Sequence, residues 1–121
     1  FAQSALPQLL YFTRKEYGLA VDKLKKYLSS YPNNKEANLL LARIYTQQKA
    51  NTLAIEEFKK LLMRSPDDRA VHYDLGLNYL EIKDYSSALK EFEQVLRLGF
   101  DNDDIRTAIG KVHAGLNLNS K

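Results

Sequence analysis

Apolar residues recur along this chain at intervals of three and four. Leu41, Ile44 and Tyr45 form one such run, Ala54, Phe58, Leu61 and Leu62 a second, and Leu75, Tyr79 and Ile82 a third. Side chains at this spacing share one face of an α-helix, so each run predicts an amphipathic helix with a single buried stripe. The pattern places helices near residues 4–14, 17–30, 35–47, 52–64, 69–81, 86–98 and 103–115. Short polar stretches separate them. The prediction is an all-α fold of about seven helices joined as helix–turn–helix pairs.

The runs are copies of one another. Shifted by 34, Leu41, Tyr45, Lys49, Ala54, Glu57, Phe58 and Leu62 fall on Leu75, Tyr79, Lys83, Ala88, Glu91, Phe92 and Leu96. The same shift carries Tyr11, Lys15, Leu19, Ala20, Lys25, Lys26, Leu28 and Pro32 onto Tyr45, Lys49, Leu53, Ala54, Lys59, Lys60, Leu62 and Pro66. A fixed period of this length is the mark of a repeat array. The boundaries have local causes. Asn33 and Asn34 after Pro32, Asp67 and Asp68 after Pro66, and Asp101 through Asp104 stand where helices begin and offer side-chain acceptors to unpaired N–H groups. Gly99 can take the left-handed conformation that closes a helix. Pro7 is tolerated in the first turn of a helix capped by Ser4.

These residues resemble the tetratricopeptide repeat family, whose pattern spreads Leu-Gly, Tyr, Ala, Phe and Pro over the period. The second repeat reads Leu41-Ala42, Tyr45, Ala54, Phe58, Pro66, and the third Leu75-Gly76, Tyr79, Ala88, Phe92. The first keeps Tyr11, Ala20 and Pro32, and a fourth begins with Ile109-Gly110. Asn38 and His72 stand where the family often has Trp, Leu61 and Val95 replace the second-helix Ala, and Phe100 replaces Pro. The resemblance implies an α-α superhelix, a right-handed solenoid of antiparallel hairpins. A single domain over 1–115 would hold repeats at about 1–34, 35–68 and 69–102, then a partial or capping helix over 103–115 and a tail over 116–121. Each hairpin alone leaves an apolar face in water, and its neighbour buries it.

The resemblance further implies that a partner segment lies along a concave groove lined by the first helix of each hairpin. Carried onto this chain, the groove positions are Leu9 and Phe12, then Leu39, Arg43, Thr46 and Gln47, then Tyr73, Leu77, Leu80 and Glu81, and finally Thr107 and Lys111. Leu39, Tyr73, Leu77 and Leu80 are apolar at positions that should face outward, which favours an extended segment or amphipathic helix as the occupant. A known subclass grips a chaperone's C-terminal carboxylate with a basic clamp. Here the clamp positions hold Ala5, Leu9, Arg43, Ala70 and Asp74. A frame one repeat later gives Tyr73, Leu77 and Asp104, which is no more basic. Carboxylate-clamp binding is therefore not expected.

Composition narrows the chemistry. The chain of 121 residues has no cysteine, which removes disulfides, thiolate metal ligands and thiol nucleophiles. A chain without cysteine folds equally well in the cytosol or a bacterial periplasm. No apolar run approaches the ~20 residues of a membrane span. The first residue is Phe1 rather than Met, as in a processed product or an excised fragment. His72 and His113 read as packing or surface residues, and no His-x-x-x-His pair exists for zinc. Asp101-Asn102-Asp103-Asp104 lacks the later glycine and glutamate of a calcium loop. No catalytic residue, cofactor site, metal site or small-molecule substrate is expected.

Charge is uneven. Residues 1–60 carry ten Lys and Arg against five Asp and Glu, and residues 61–121 carry eight against ten, an asymmetry that can steer a partner or a second copy. Lys23, Lys25, Lys26, Lys59 and Lys60 lie on second helices without interleaved aromatic platforms, which argues against nucleic acid. The leading expectation is a non-enzymatic scaffold or adaptor that binds a protein or peptide, as part of a larger protein or assembly complex. A self-associating module that stacks through its ends is the alternative, and a nucleic-acid-binding domain a third.

Overall fold

The computed structural model describes residues 16–119. Six α-helices occupy them: α1 (Tyr17–Ser30), α2 (Lys35–Gln47), α3 (Asn51–Arg64), α4 (Arg69–Glu81), α5 (Tyr85–Arg97) and α6 (Asp103–Asn119). The helix predicted near 4–14 lies outside the described residues. Two compact units divide the chain, Phe1–Glu57 and Phe58–Lys121.

In the first unit α1 packs against α2. Ala20, Val21 and Leu24 of α1 are buried, as are Ala37, Leu41, Ala42, Ile44 and Tyr45 of α2 and Ala54 and Ile55 of α3. In the second unit α4 packs along α5, and α6 closes on both. Its core gathers Ala88, Phe92 and Val95 from α5 with Ile105, Ala108 and Val112 from α6. Phe58 and Leu61 of α3, and Val71 and Leu75 of α4, are buried in the same unit. The buried positions keep the spacing of three and four seen in the sequence.

The helix starts follow side-chain chemistry. Asn34 accepts from the Ala37 N–H at 2.9 Å, Asp68 from Val71 at 3.3 Å, and Asn102 from Ile105 at 3.0 Å. Within the acidic run before α6, the asparagine is thus the cap. Asp101 instead holds Arg106 at 2.9 Å, and Asp103 and Asp104 sit in the first turn of α6, where negative charge suits the helix dipole. Asp84 caps α5 through the Ser87 N–H at 3.3 Å.

Three helix ends share one device. After α2, Lys49 N–H bonds to Thr46 O and Ala50 N–H to Tyr45 O. After α4, Lys83 bonds to Leu80 and Asp84 to Tyr79. After α5, Gly99 bonds to Leu96 and Phe100 to Val95. Each pair closes the last turn through a left-handed residue, Lys49 at φ 63°, Lys83 at φ 65° and Gly99 at φ 88°. Glycine adopts that conformation freely, whereas a lysine there costs about 1–2 kcal/mol. Asn117, one period after Lys83, stays helical, and α6 runs on to Asn119 rather than ending at residue 115.

The α4–α5 contact is set by a missing side chain. A Cβ built on Gly76 would fall on the Phe92 ring, which is fully buried and has nowhere to retreat. A Cβ on Gly115 would likewise meet the Tyr85 ring. Gly110, one period after Gly76, has nothing within 4 Å. The two repeat-equivalent glycines should therefore respond oppositely to the same change. Gly110→Ala should raise stability by about 1 kcal/mol through helix propensity. Gly76→Ala should lower it, because an overpacking cost of roughly 1–3 kcal/mol outweighs the same gain. Urea unfolding of the two variants checks both signs.

Candidate functional site

The residues singled out as groove positions sit on α2, α4 and α6, the first helices of their repeats. Leu9 and Phe12 lie outside the described residues. In the first unit, Leu39 and Thr46 are half-buried, and Arg43 and Gln47 are exposed. Thr46 turns its hydroxyl back to the Ala42 carbonyl at 3.2 Å, so that oxygen is engaged within its own helix. In the second unit, Glu81, Thr107 and Lys111 are exposed.

Tyr73, Leu77 and Leu80 are half-buried. One side of each packs on the core of the second unit. The Tyr73 ring lies 6.0 Å from the Phe92 ring at a tilt of 49°. These three side chains therefore do two jobs: they complete the α4–α5–α6 packing and leave the remainder of their surface open. The register implied by the family resemblance faces them outward; packing with α5 and α6 divides them between core and surface.

The chemistry around Tyr73 is acidic. Burial pushes its phenol above the ordinary tyrosine range, and the carboxylates of Asp104 on α6 and Asp74 on α4 push in the same direction. Both effects disfavour a phenolate, so the hydroxyl stays a neutral donor and acceptor.

The two histidines differ sharply. His113 is exposed on α6. His72 is buried, with Nδ1 2.7 Å from Glu91 Oε1 on α5 and Nε2 2.7 Å from the Pro66 carbonyl in the turn before α4. One period earlier, Asn38 is buried in the same place and donates from Nδ2 to Pro32 O at 3.1 Å and to Asn34 O at 3.0 Å. At the position where the family often has Trp, this chain places polar side chains that reach back to the proline carbonyl. The pairing of Pro32 with Asn38 and of Pro66 with His72 at one spacing was visible in the sequence, but the Glu91 partner, a helix away, was not. Among the described residues, no group of His, Asp and Glu side chains could hold a metal ion. No helix among them is long and apolar enough to cross a membrane.

Comparison with known proteins follows the same lines. Two family models described as tetratricopeptide repeat match the chain, one over residues 46–112 and one over residues 9–70. No curated protein matches it. Among solved structures it is similar to the first tetratricopeptide domain of human RPAP3, at 20% identity, covering 91% of this chain and 87% of that one with a TM-score of 0.80. It is similar to the first such domain of Spaghetti (RPAP3) bound to an HSP90 peptide, at 21% identity, 97% and 96% coverage and a TM-score of 0.84. The TPR2B domain of yeast Sti1, in a complex with Hsp70, matches at 18% identity, 93% and 96% coverage and a TM-score of 0.81. At these identities the likeness is one of fold.

The Tyr73 environment gives a direct test. Its phenol should ionise later than an exposed tyrosine. Asp104→Asn should bring it part of the way back, because burial, the larger cause, remains. A folded-state value above the unfolded one means that the neutral phenol stabilises the fold, and that this contribution disappears as pH rises above about 10. Carbon-13 ring signals of labelled tyrosine, followed with pH in both proteins, check the shift.

Proposed function

Since the chain belongs to the tetratricopeptide repeat family, we propose that it is a non-enzymatic scaffold or adaptor that binds a peptide or helix of a partner protein through its first helices. The observation that carries the reading is the α4 row of Tyr73, Leu77 and Leu80. These residues are anchored by the core on one side and open on the other. A rigid aromatic and two aliphatic side chains, already ordered before binding, offer contact area at small entropic cost. Glu81 on α4 and Thr107 and Lys111 on α6, all exposed, supply polar contacts that select among partners. The peptide-bound state of the Spaghetti domain and the Hsp70 complex of the Sti1 domain support a peptide as the class of ligand. Work within a larger protein or assembly is the natural setting for such a module.

The acidic chaperone peptide is not the proposed ligand. Its clamp needs cations, whereas Ala70 and Asp74 stand at clamp positions of α4. A peptide selected by display against the native chain serves as the probe. Tyr73→Ala combined with Lys111→Glu should weaken its binding by at least about tenfold, with the helical circular dichroism unchanged. The SRMEEVD peptide should not compete with it. Unchanged affinity in the double variant would remove the reading.

A further inference from the structure

Tyr73 is the aromatic member of the α4 row, and its surroundings break the period that the rest of the chain keeps. One period earlier, the residues equivalent to Tyr73, Asp74 and Asp104 are Leu39, Leu40 and Ala70. Residues that build the array recur across that shift, as Leu41 and Tyr45 do in Leu75 and Tyr79. An aromatic ring with one carboxylate beside it on α4 and another on α6 does not recur, so the stacking of repeats does not require it. Packing fixes the ring. One flank meets Phe92 at 6.0 Å, and the core cluster it leans on includes Ile105, the neighbour of Asp104. The rest of the ring is open, and Asp104 is exposed. Both carboxylates are close enough to act on the phenol. Arginines at this end of the unit are engaged elsewhere: Arg106 is held by Asp101 at 2.9 Å, and Arg69 lies over Phe100 at 4.9 Å. Ala70, one turn before Tyr73, is exposed and too short to cover the ring.

We infer that the surface around Tyr73 takes a basic side chain of the partner, an arginine or lysine that lies on the ring with its charge toward Asp74 and Asp104. This rests on the peptide-binding reading above and names the chemistry of the segment that fills the site. The apolar row of Tyr73, Leu77 and Leu80 supplies contact area but cannot choose among apolar segments. Charge makes the choice. The face of an aromatic ring attracts a cation, and a carboxylate beside it adds charge-assisted hydrogen bonds. Asp74 is half-buried, which weakens the screening of its charge. A partner carboxylate at this point would meet like charge, so acidic segments are refused here. Lys111 follows Asp104 by seven residues on the same face of α6. It stands about 10 Å further along the helix axis and offers the opposite sign. The row therefore also sets which way the segment runs, with its basic residue at Tyr73 and a polar acceptor at Lys111.

Peptides selected by display against the native chain test this. Independent selections should share an arginine or lysine at one position of an otherwise apolar segment. Replacing that residue by its neutral analogue, citrulline or acetyl-lysine, should weaken binding to the native chain about tenfold. On a chain carrying Asp74→Asn and Asp104→Asn, the same replacement should cost about threefold or less, because only the ring is left to answer the charge. An equal loss on both chains overturns the inference, as do selections that yield no basic residue. The failure of this inference is distinct from failure of the peptide-binding reading. If Tyr73→Ala with Lys111→Glu weakens binding while the neutral analogue binds as well as the parent peptide, the adaptor reading stands and the basic residue falls. If neither change weakens binding, both fall. Should Asp74→Asn not fold, as judged by circular dichroism, Asp104→Asn alone on exposed α6 makes the comparison.

Discussion

The ring of Phe92 fills the space that a side chain at position 76 would need. It is fully buried, it carries the tilted Tyr73 ring on one flank, and it belongs to the apolar cluster that α5 shares with α6. Most of the second unit's order can be traced to this contact. The bare backbone at Gly76 lets α4 and α5 approach closely, and the resulting seam holds Tyr73, Leu77 and Leu80 in place. A hairpin of two amphipathic helices cannot hide its stripes alone, so α6 completes what the pair leaves open, with Gly115 giving Tyr85 room in the same way. The proposed binding surface and the core are thus the same side chains seen from two sides.

Polar residues fix where each helix starts and stops around that seam. Asn34, Asp68, Asp84 and Asn102 cap four helices, and left-handed residues end three. Two of those three are lysines, so the turns at Lys49 and Lys83 store strain that the closing hydrogen bonds and the apolar packing outweigh. His72 and Asn38 tie the turn before each hairpin to its first helix. At His72 the tie extends to α5 through Glu91, which couples turn, first helix and second helix through one side chain.

Much of this was legible in the sequence because it is periodic. The stripes, the shift by 34, the small residues at Ala42, Gly76, Ala54 and Ala88, and the asparagine and aspartate clusters before helices are local or repeated features, and the helices lie within a residue or so of their predicted starts. What was hidden depends on three-dimensional company. The half-burial of Tyr73, Leu77 and Leu80 comes from α5 and α6, not from their own helix. Which of four acidic or amide residues would cap α6 depended on Arg106 drawing Asp101 away. Lysine at a left-handed position contradicts local preference. His72 looked like a packing residue, and its Glu91 partner lies 19 positions away on another helix. The extension of α6 to Asn119 also departs from the period, because Asn117 does not take up the turn conformation of Lys49 and Lys83.

The dependence of α4 on a ring contributed by α5 can be measured by amide hydrogen exchange on a Phe92→Ala variant, a change that costs about 3–5 kcal/mol in a packed core. If the two helices hold each other, protection should fall in α4 around Tyr73–Gly76 together with α5. Full protection of α4 beside an unprotected α5 would show that the first helix stands without the seam, and would contradict the account.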